Sequence, residues 1–263
     1  MGALKALWAY RHFVVSSIRN ELVSQFARSK LGGLWMIINP LAQVAIYALI
    51  LSNVLAAKLP GVEGQYAYAI YLIAGLLAWT LFNEIVSRST NLFIAQGNLL
   101  KKMSFPRITL PAITMGSSVL NNILLFIAAL GVFLLLGHQF TPAMFWLLPL
   151  AVVVAAFGVG LGLTLGVLNV FLRDVGQFMT IVLQMWFWFT PIVYPATIIP
   201  EQYRHLLDFN PIYPLTHAYQ QVLVYGQTPS FDGMVTTIGI ALALLATGFF
   251  LFRRASEEMV DVL

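Results

Sequence analysis

The chain has 263 residues, of which 60% are hydrophobic and only 9% are charged. Soluble domains contain about 45–50% apolar and about 25% charged residues, so both values exclude an ordinary soluble globule. They also exclude intrinsic disorder, which requires low hydrophobicity and high charge. The formal net charge of +4 is modest, and the absence of cysteine excludes disulfide frameworks and thiolate chemistry. The composition predicts an all-α, polytopic membrane protein.

The first predicted element is an amphipathic helix within residues 1–30. Charged residues interrupt its apolar positions, so it lacks the continuous apolar core and the cleavage site of a secretory signal peptide. We expect the helix to lie along the inner membrane interface; a soluble cap helix is the alternative. Its apolar positions recur at helical spacing: Leu4, Leu7, Trp8, Val15, Ile18, Leu22 and Phe26.

Charge-free stretches then predict six transmembrane helices. A helix needs about 20 mostly apolar residues to cross the hydrocarbon. Residues 108–172 contain no charged side chain. This stretch is too long for one crossing, and a turn at residues 137–142 divides it into two spans. Pro191 and Pro195 end the fifth helix. The predicted spans are 34–57, 64–83, 110–136, 143–168, 175–194 and 233–252, within a single domain over 1–263.

Residues 195–232 are expected to form an outer segment of short helices. Six of the twelve prolines fall between Pro191 and Pro229, which prevents a long continuous helix. The segment is free of charge from Phe209 to Phe231 but rich in amides, and it is predicted to dip into one membrane face or lie on it. Such backbone is tolerated where protein covers it.

The distribution of cations decides the orientation of the six helices. Two cations, Lys58 and Arg204, fall on one side, and the other twelve fall on the side of both termini, which is therefore predicted to be cytoplasmic. A seventh span would place Arg253 and Arg254 outside. The twelve are Lys5, Arg11, Arg19, Arg28, Lys30, Arg88, Lys101, Lys102, Arg107, Arg173, Arg253 and Arg254.

Catalytic motifs are absent from the sequence, and its polar residues favour structural roles. There is no nucleophile elbow, zinc-binding HExxH or phosphate loop. Gly158, Gly162 and Gly166 recur every four residues, which predicts a small-residue face for close helix packing. Glu84 is predicted to pair with Arg88 one turn later. Interhelical hydrogen bonding is favoured over a pathway lining for Asn39, Gln43, Asn121, Asn122 and Gln184.

Aromatic residues are the feature that most suggests a ligand. Trp186, Phe187, Trp188 and Phe189 are consecutive in the fifth span, and a membrane interface belt does not require four rings in succession. Flat aromatic faces with polar rims suit the C–H faces of sugar rings. The pattern indicates a substrate contact without naming the substrate.

The loop over residues 91–106 is predicted to contain a short helix from Asn91 to Leu100. Its apolar residues and flanking lysines fit either an ordinary interfacial hairpin or a docking helix for a soluble partner, and the residues alone favour neither.

Several motifs together resemble type-two ABC exporter permeases, in particular those that export O-antigen, capsule and teichoic-acid polymers. The resemblance covers nearly the whole chain in order and spacing. The motifs are Arg28-Ser29-Lys30-Leu31-Gly32-Gly33-Leu34-Trp35 with Pro40-Leu41, Asn98-Leu99-Leu100 with Phe105-Pro106 and Leu110-Pro111, Arg173-Asp174 followed by Thr190-Pro191-Ile192 and Tyr194-Pro195, and Asn210-Pro211 with Pro214-Leu215.

The resemblance implies a homodimer of six-span permeases in the bacterial inner membrane, docked on two copies of a separate ABC ATPase. ATP and magnesium would bind the ATPase, and this chain itself would bind no cofactor, metal or nucleic acid. A lipid-linked polysaccharide would pass between the two permeases, along spans one and five. The implied coupling residues are Asn98, Leu99, Leu100, Phe105 and Pro106. The implied channel residues are Tyr47, Trp186, Trp188, Phe189 and Tyr194, and the interface and gate residues are Arg28, Arg173, Asp174, Tyr213 and Tyr219.

Two other functions stay open at this point. The same scaffold could export a lipid, a teichoic acid or a drug, which the genes beside it would distinguish. A membrane enzyme such as an acyl or glycosyl transferase is the other class, but it would need a convergent cluster of a base or metal-binding acids, and the sequence offers none.

Overall fold

The structure is a computed structural model that describes residues 3–27, 31–32, 34–35, 38, 41–42, 67–102, 105–135, 137–231, 233–256 and 258–263. Every regular element in these ranges is a helix, which confirms the predicted all-α class. The α-helices are α1 (Ala3–Ala9), α2 (Arg11–Ala27), α3 (Ala67–Ala95), α4 (Gly97–Lys102), α5 (Thr109–Leu135), α6 (Leu147–Phe171), α7 (Asp174–Phe189), α8 (Glu201–Arg204), α9 (Tyr213–Val224), α10 (Met234–Ala255) and α11 (Glu258–Val262). Short 3₁₀ helices cover Pro142–Trp146, Ala196–Ile198 and His205–Phe209.

Four helices in the described part of the chain are long and apolar enough to cross a membrane: Ala67–Ala95, Thr109–Leu134, Pro142–Phe171 and Met234–Ala255. Helix α3 is the centre of the bundle and packs against α5, α6, α7 and α9. Helices α5 and α10 lie at the periphery, where most of their residues remain uncovered. The first predicted span, 34–57, lies largely outside the described residues.

The fifth predicted span, 175–194, forms a helix that is shorter than a full crossing. Helix α7 has 16 residues, and at 1.5 Å per residue it is about 24 Å long. A bilayer core is about 30 Å thick, so the helix alone does not cross it. The predicted count of six helical spans is therefore not confirmed.

The chain begins and ends at the same end of the bundle. Ala6 in α1 and Met259 in α11 belong to one buried apolar cluster with Leu100 in α4. We call this end the terminal end and the opposite end, where α3 begins and α9 lies, the distal end.

The predicted N-terminal helix is divided in two at Tyr10, where α1 gives way to α2. Helix α2 packs on α5, with the Ile18 side chain directly against Gly116. The exposed side chains of α1 and α2 are both apolar and charged, among them Trp8 and Arg11, whose guanidinium carbon lies 5.1 Å from the centre of the Trp8 ring. This mixture of side chains suits a helix at the boundary between lipid and water.

Helix α3 extends about three turns beyond its predicted end at residue 83. The prediction treated the charges at Glu84 and Arg88 as the membrane boundary, but nothing in 84–95 breaks a helix. Their charges are paired rather than exposed, since the Arg88 guanidinium lies 3.1 Å from the Glu84 carboxylate. The short helix predicted to begin at Asn91 is therefore part of α3, and the break falls at Gln96.

The glycines of α6 allow it to lie close to α3, as their spacing predicts. A Cβ atom added at Gly162 would lie 2.6 Å from the Ser89 Cβ, and one at Gly158 would lie 3.1 Å from the Ile85 side chain. Gly166 meets the Ser89 backbone on the same face. The prediction of a small-residue packing face is confirmed.

Replacing Gly162 with alanine is expected to lower the thermal stability of the purified protein. The added methyl group has no room between α3 and α6, and overpacking costs about 1–3 kcal/mol. Gly239 in α10 is the matched control, since a Cβ there would meet nothing within 4 Å. Gly239→Ala should leave the melting temperature unchanged or raise it slightly, because alanine is the better helix former. Equal melting temperatures for the two variants would contradict the packing account.

Candidate functional site

The distal end of the bundle contains a break in the helical backbone immediately after α7. The helix ends at Phe189, and residues 190–195 are unwound before the next short helix begins. Pro191 and Pro195 account for the break, because proline lacks the amide hydrogen that continues a helix. The carbonyl groups of this stretch therefore need other donors, particularly in a membrane where water is scarce.

Side chains of α3 and α9 donate to those carbonyls. The Tyr71 hydroxyl lies 3.1 Å from the Pro191 carbonyl oxygen and 3.2 Å from that of Tyr194. The Tyr68 hydroxyl donates to the Val193 carbonyl. From α9, the Gln220 amide nitrogen donates to the Pro191 carbonyl at 3.0 Å. Tyrosines of the central helix thus support an unwound segment within the bundle.

Asn210 joins the break to the outer segment. Its side-chain oxygen accepts a hydrogen bond from the Trp186 indole nitrogen at 2.8 Å and one from the Ile212 backbone amide at 3.3 Å. Its amide nitrogen donates to the Thr190 hydroxyl at 3.0 Å. One side chain therefore connects the end of α7, the unwound stretch and the start of α9.

A cavity of about 350 Å³ opens beside this junction. Its walls come from the end of α7, the unwound stretch and the short helices of the outer segment. None of the described residues that line it is charged, and five of its ten lining residues are aromatic. The lining residues are Trp186, Phe189, Tyr194, Ile199, Tyr203, Leu206, Leu207, Phe209, Asn210 and Pro211.

The chemistry of the cavity suits an uncharged ligand with both apolar and hydroxyl-bearing faces. Aromatic rings offer flat apolar surfaces, and tyrosine hydroxyls add polar groups at their rims. The Tyr194 hydroxyl is already engaged, since it donates to the Trp188 carbonyl at 2.8 Å. Tyr203 lies on α8 and is exposed, so its hydroxyl is available to a ligand.

The four consecutive aromatics of α7 point in different directions. Trp186 is half-buried, and its ring lies 5.4 Å from that of Phe82 and 6.4 Å from that of Phe157. Phe187 also faces inward, against Trp79. Trp188 and Phe189 are exposed. The predicted channel set is therefore divided: Trp186, Phe189 and Tyr194 line the cavity, Trp188 lies on the open face of α7, and Tyr47 lies outside the described residues.

The predicted interface and gate residues are not brought together. Arg173 and Asp174 are exposed at the start of α7, whereas Tyr213 and Tyr219 lie on α9 at the distal end. Tyr219 is only 3% exposed and belongs to the main apolar core, and the gate role of the set stays a prediction. Arg28, the fifth member, lies outside the described residues.

Two titratable residues of the outer segment are held neutral. Burial raises the pKa of Tyr213 above its ordinary value, and the nearby Asp208 carboxylate acts in the same direction. Burial lowers the pKa of His217, whose ring stacks on Tyr213 at 5.6 Å. Neither side chain adds a charge to the outer segment near neutral pH.

The coupling residues inferred from the resemblance lie at the terminal end, but most of them face inward. Leu100 is only 7% exposed and packs in the cluster with α1 and α11, and Leu99 and Phe105 pack against that cluster. Phe105 also meets the Phe13 ring at 5.8 Å. Leu100 is therefore covered by this chain itself, and the coupling role of the five residues stays a prediction. Asn98 is exposed and Pro106 is half-buried.

A polar cluster between α2, α3 and α5 is a feature that sequence reasoning missed. Arg88 lies between two carboxylates, since it pairs with Glu84 as predicted and also with Glu21 of α2. The buried Ser117 hydroxyl donates to Glu21 at 2.6 Å, and the Asn121 amide donates to Glu84 at 2.7 Å. We call these five residues the α2 latch. Of these contacts, only the pairing of Glu84 with Arg88 could be predicted from the sequence, because the two residues are one helical turn apart.

The interhelical hydrogen bonds predicted for asparagines of α5 are confirmed. Asn121 bonds Glu84, and the Asn122 amide donates to the Leu77 carbonyl at 2.9 Å. Gln184 behaves differently: it is exposed on α7 and makes no hydrogen bond with any described residue. Asn39 and Gln43 lie outside the described residues.

Long apolar helices packed around an unwound stretch that other parts of the protein cover are typical of polytopic membrane proteins. Comparison with protein families identifies the family to which the chain belongs. The chain belongs to the ABC-2 type transporter family, whose family model matches residues 13–224.

Individual relatives cover almost the whole chain. It is 28% identical to the O-antigen export system permease protein RfbA of Myxococcus xanthus, over 98% of each chain. It is 27% identical to the protein of the same name from Klebsiella pneumoniae, over 92% of each. The polysialic acid transport protein KpsM of Escherichia coli is 24% identical, over 91% of this chain and 92% of KpsM.

Proposed function

We propose that the chain is the membrane-spanning permease of an ATP-driven exporter that moves a lipid-linked, O-antigen-like polysaccharide to the outer face of the bacterial inner membrane. The observation that carries the proposal is the full-length similarity to export permeases named for O-antigen. The more distant similarity to a polysialic acid transport protein supports a carbohydrate polymer as the cargo.

The cavity at the distal end supports the same cargo. Its described walls are uncharged and rich in aromatic rings, and sugars stack their C–H faces on such rings while hydroxyl groups bond at the rims. Its place beside the break in α7 suits a cargo that leaves at this end of the bundle. In this proposal both termini and the terminal end are cytoplasmic.

The energy for transport comes from a separate ATPase subunit. Two permeases and two ATPases form the working complex, and ATP and magnesium bind the ATPase. The docking surface on this chain is the outer side of α4, where Asn98 and Lys101 are exposed over the buried Leu100. Closure of the ATPase then moves the apolar cluster of the terminal end as a unit.

Deletion of the gene, followed by complementation, tests the proposal. The deletion strain should lack surface polysaccharide and accumulate lipid-linked glycan on the cytoplasmic side, and the wild-type chain should reverse both effects. Surface polymer is measured by gel electrophoresis of cell extracts, and trapped glycan by its resistance to enzymes added outside the cells.

Phe189→Ala and Phe145→Ala form the matched pair for the aromatic contact. Both rings are exposed, but Phe189 lines the cavity, whereas Phe145 lies on the 3₁₀ helix before α6 and is not among the residues that line it. Only the Phe189 variant should reduce export. Normal surface polymer in the deletion strain, with lipid or drug export lost instead, would reject the polysaccharide as the cargo.

A further inference from the structure

The last helix of the chain, α11, packs on α4, the short helix of the terminal end. Apart from α3, which directly precedes α4, α11 is the described helix in most extensive contact with it. Met259 of α11 is only 1% exposed and shares a buried apolar cluster with Leu100 of α4. A Cβ atom added at Gly97 would lie 3.7 Å from the Cβ atom of Leu263. The end of the chain therefore forms part of the surroundings of α4.

A second connection joins the loop after α4 to the start of α11. The Arg107 guanidinium donates to the carbonyl of Ser256, which lies between α10 and α11. Hydrogen bonds from charged donors are stronger than those between neutral groups, and Arg107 is half-buried. The C-terminal segment thus meets the chain on both sides of α4: at Gly97, where α4 begins, and at Arg107, beyond its end.

Helix α11 is in turn fixed to the long helices. It follows α10 after residues 256–257, and it also packs on α6. Phe252, near the end of α10, stacks on Phe93 of α3, with the ring centroids 5.6 Å apart and the planes at 18°. Side chains of α6 complete the same buried cluster: Leu163, Val167 and Val170. Close-packed side chains transmit strain because they are hard to compress, so a displacement of α4 reaches α10 and α6 through α11.

Helix α4 depends on this packing for its orientation. It has six residues, and isolated helices shorter than about 12 residues are marginal in water. A turn at Gln96 separates it from α3, so it is not a rigid extension of that helix. Its orientation is therefore set by the side chains packed on it, and those of α11 come from the far end of the chain.

We propose that α11 is a positioning element, in which Met259 and Leu263 hold α4 so that the two helices move as one body when the ATPase closes. This rests on the proposed function and adds a role for the C-terminal helix in coupling. Without α11, α4 would yield to the ATPase and the long helices would not follow. ATP hydrolysis would then continue while transport failed.

The first test joins α4 to α11 covalently and uses the absence of cysteine from the chain. The Cβ atoms of a disulfide usually lie about 3.5–4.5 Å apart, which the distance between Gly97 and Leu263 matches. The double variant Gly97→Cys/Leu263→Cys is oxidised in vesicles that contain the permease with its ATPase. The cargo is the lipid-linked glycan that the deletion strain accumulates. The disulfide should form readily and leave export per ATP hydrolysed unchanged, as in the reduced form and the single variants.

Two results would overturn the proposal. Loss of export on oxidation, restored by reduction, would show that α11 must leave α4 during the transport cycle. Failure of the disulfide to form in the resting complex would show that α4 and the end of the chain are not in contact. Disulfide formation does not depend on the cargo, so it can be measured even if the proposed function fails.

The second test separates α11 from α4. Met259→Asp places a charge in the buried cluster, and Val262→Asp places the same charge at an exposed position of α11. Only the Met259 variant should lower export per ATP hydrolysed, by at least about fivefold, the lower end of the usual range for coupling between sites. It should also speed hydrogen exchange over residues 97–102. Met259→Leu keeps the size and apolar character of the side chain and should export normally.

A structural role alone would give a different result, because protein level, co-purification of the ATPase, ATP hydrolysis and export would then decline together. That pattern, or a parental ratio of export to ATP hydrolysis in Met259→Asp with faster exchange in α4, would contradict the proposal. Truncation after Ser256 is the second variant, and it removes α11 without burying a charge. Failure of the proposed function would appear separately, as normal surface polysaccharide in the deletion strain.

Discussion

Replacing Asn210 with alanine is expected to release the outer segment from α7 and to abolish export. The substitution leaves the Trp186 indole nitrogen and the Ile212 amide without their acceptor, and Thr190 without its donor. Each unsatisfied buried group costs about 1–3 kcal/mol, so the free energy of unfolding should fall by several kcal/mol. Thermal unfolding of the purified permease and the amount of surface polysaccharide measure the two effects.

Two further variants show that the effect comes from the hydrogen bonds. Asn210→Asp keeps the acceptor oxygen for Trp186 and should retain more stability than alanine does. In a Trp186→Phe background the orphaned indole donor is already gone, so Asn210→Ala should cost less there than in the parent. Additive losses from the two substitutions would contradict a direct bond between the residues.

Replacing Arg88 with alanine is expected to detach α2 from the bundle. The substitution leaves the Glu21 and Glu84 carboxylates close together without their shared cation. Loss of one partner of a fully buried ion pair costs about 3–5 kcal/mol. The side chains here are 25–30% exposed, so a smaller loss of about 1–3 kcal/mol is expected. Hydrogen exchange over residues 11–27 measures the detachment directly.

The chemistry of arginine provides the control for the α2 latch. The two terminal nitrogens of Arg88 bond different carboxylates, Nη1 to Glu84 and Nη2 to Glu21. Lysine carries one ammonium group and cannot reproduce this fork, so Arg88→Lys should fall between the parent and alanine. Glu21→Gln combined with Arg88→Ala should recover part of the protection, because one unpaired charge is removed. Unchanged exchange in Arg88→Ala would show that packing of Ile18 on Gly116 alone holds α2.

Features that depend on near neighbours in the chain could be predicted. The glycines at 158, 162 and 166 share a helix face because of their spacing, so their role in close packing between helices could be predicted. Glu84 and Arg88 are one turn apart, so their pairing did not depend on the rest of the fold. Proline at 191 ended the fifth helix near its predicted place. Each of these is a property of a single helix or turn.

Partners from distant parts of the chain could not be predicted in this way. Glu21 reaches Arg88 across 67 positions, and Tyr71 reaches the Pro191 carbonyl across 120. The second span was predicted to end before Glu84, the first charge, because the pairing of Arg88 with Glu21 could not be seen along the chain. The four aromatics of α7 could be counted but not oriented, since only the packing of α3 and α6 decides which ring is covered.

The sequence by itself determined that this chain is a bundle of apolar helices without an ATP-binding motif, because hydrophobic length, charge distribution and local motifs along the chain suffice for that. Only the tertiary structure decided which side chains support the unwound stretch after α7, which surface of α7 no described helix covers and where the cavity lies. These depend on which helices come into contact, and burial and hydrogen bonding between them are settled by the whole fold rather than by any one segment.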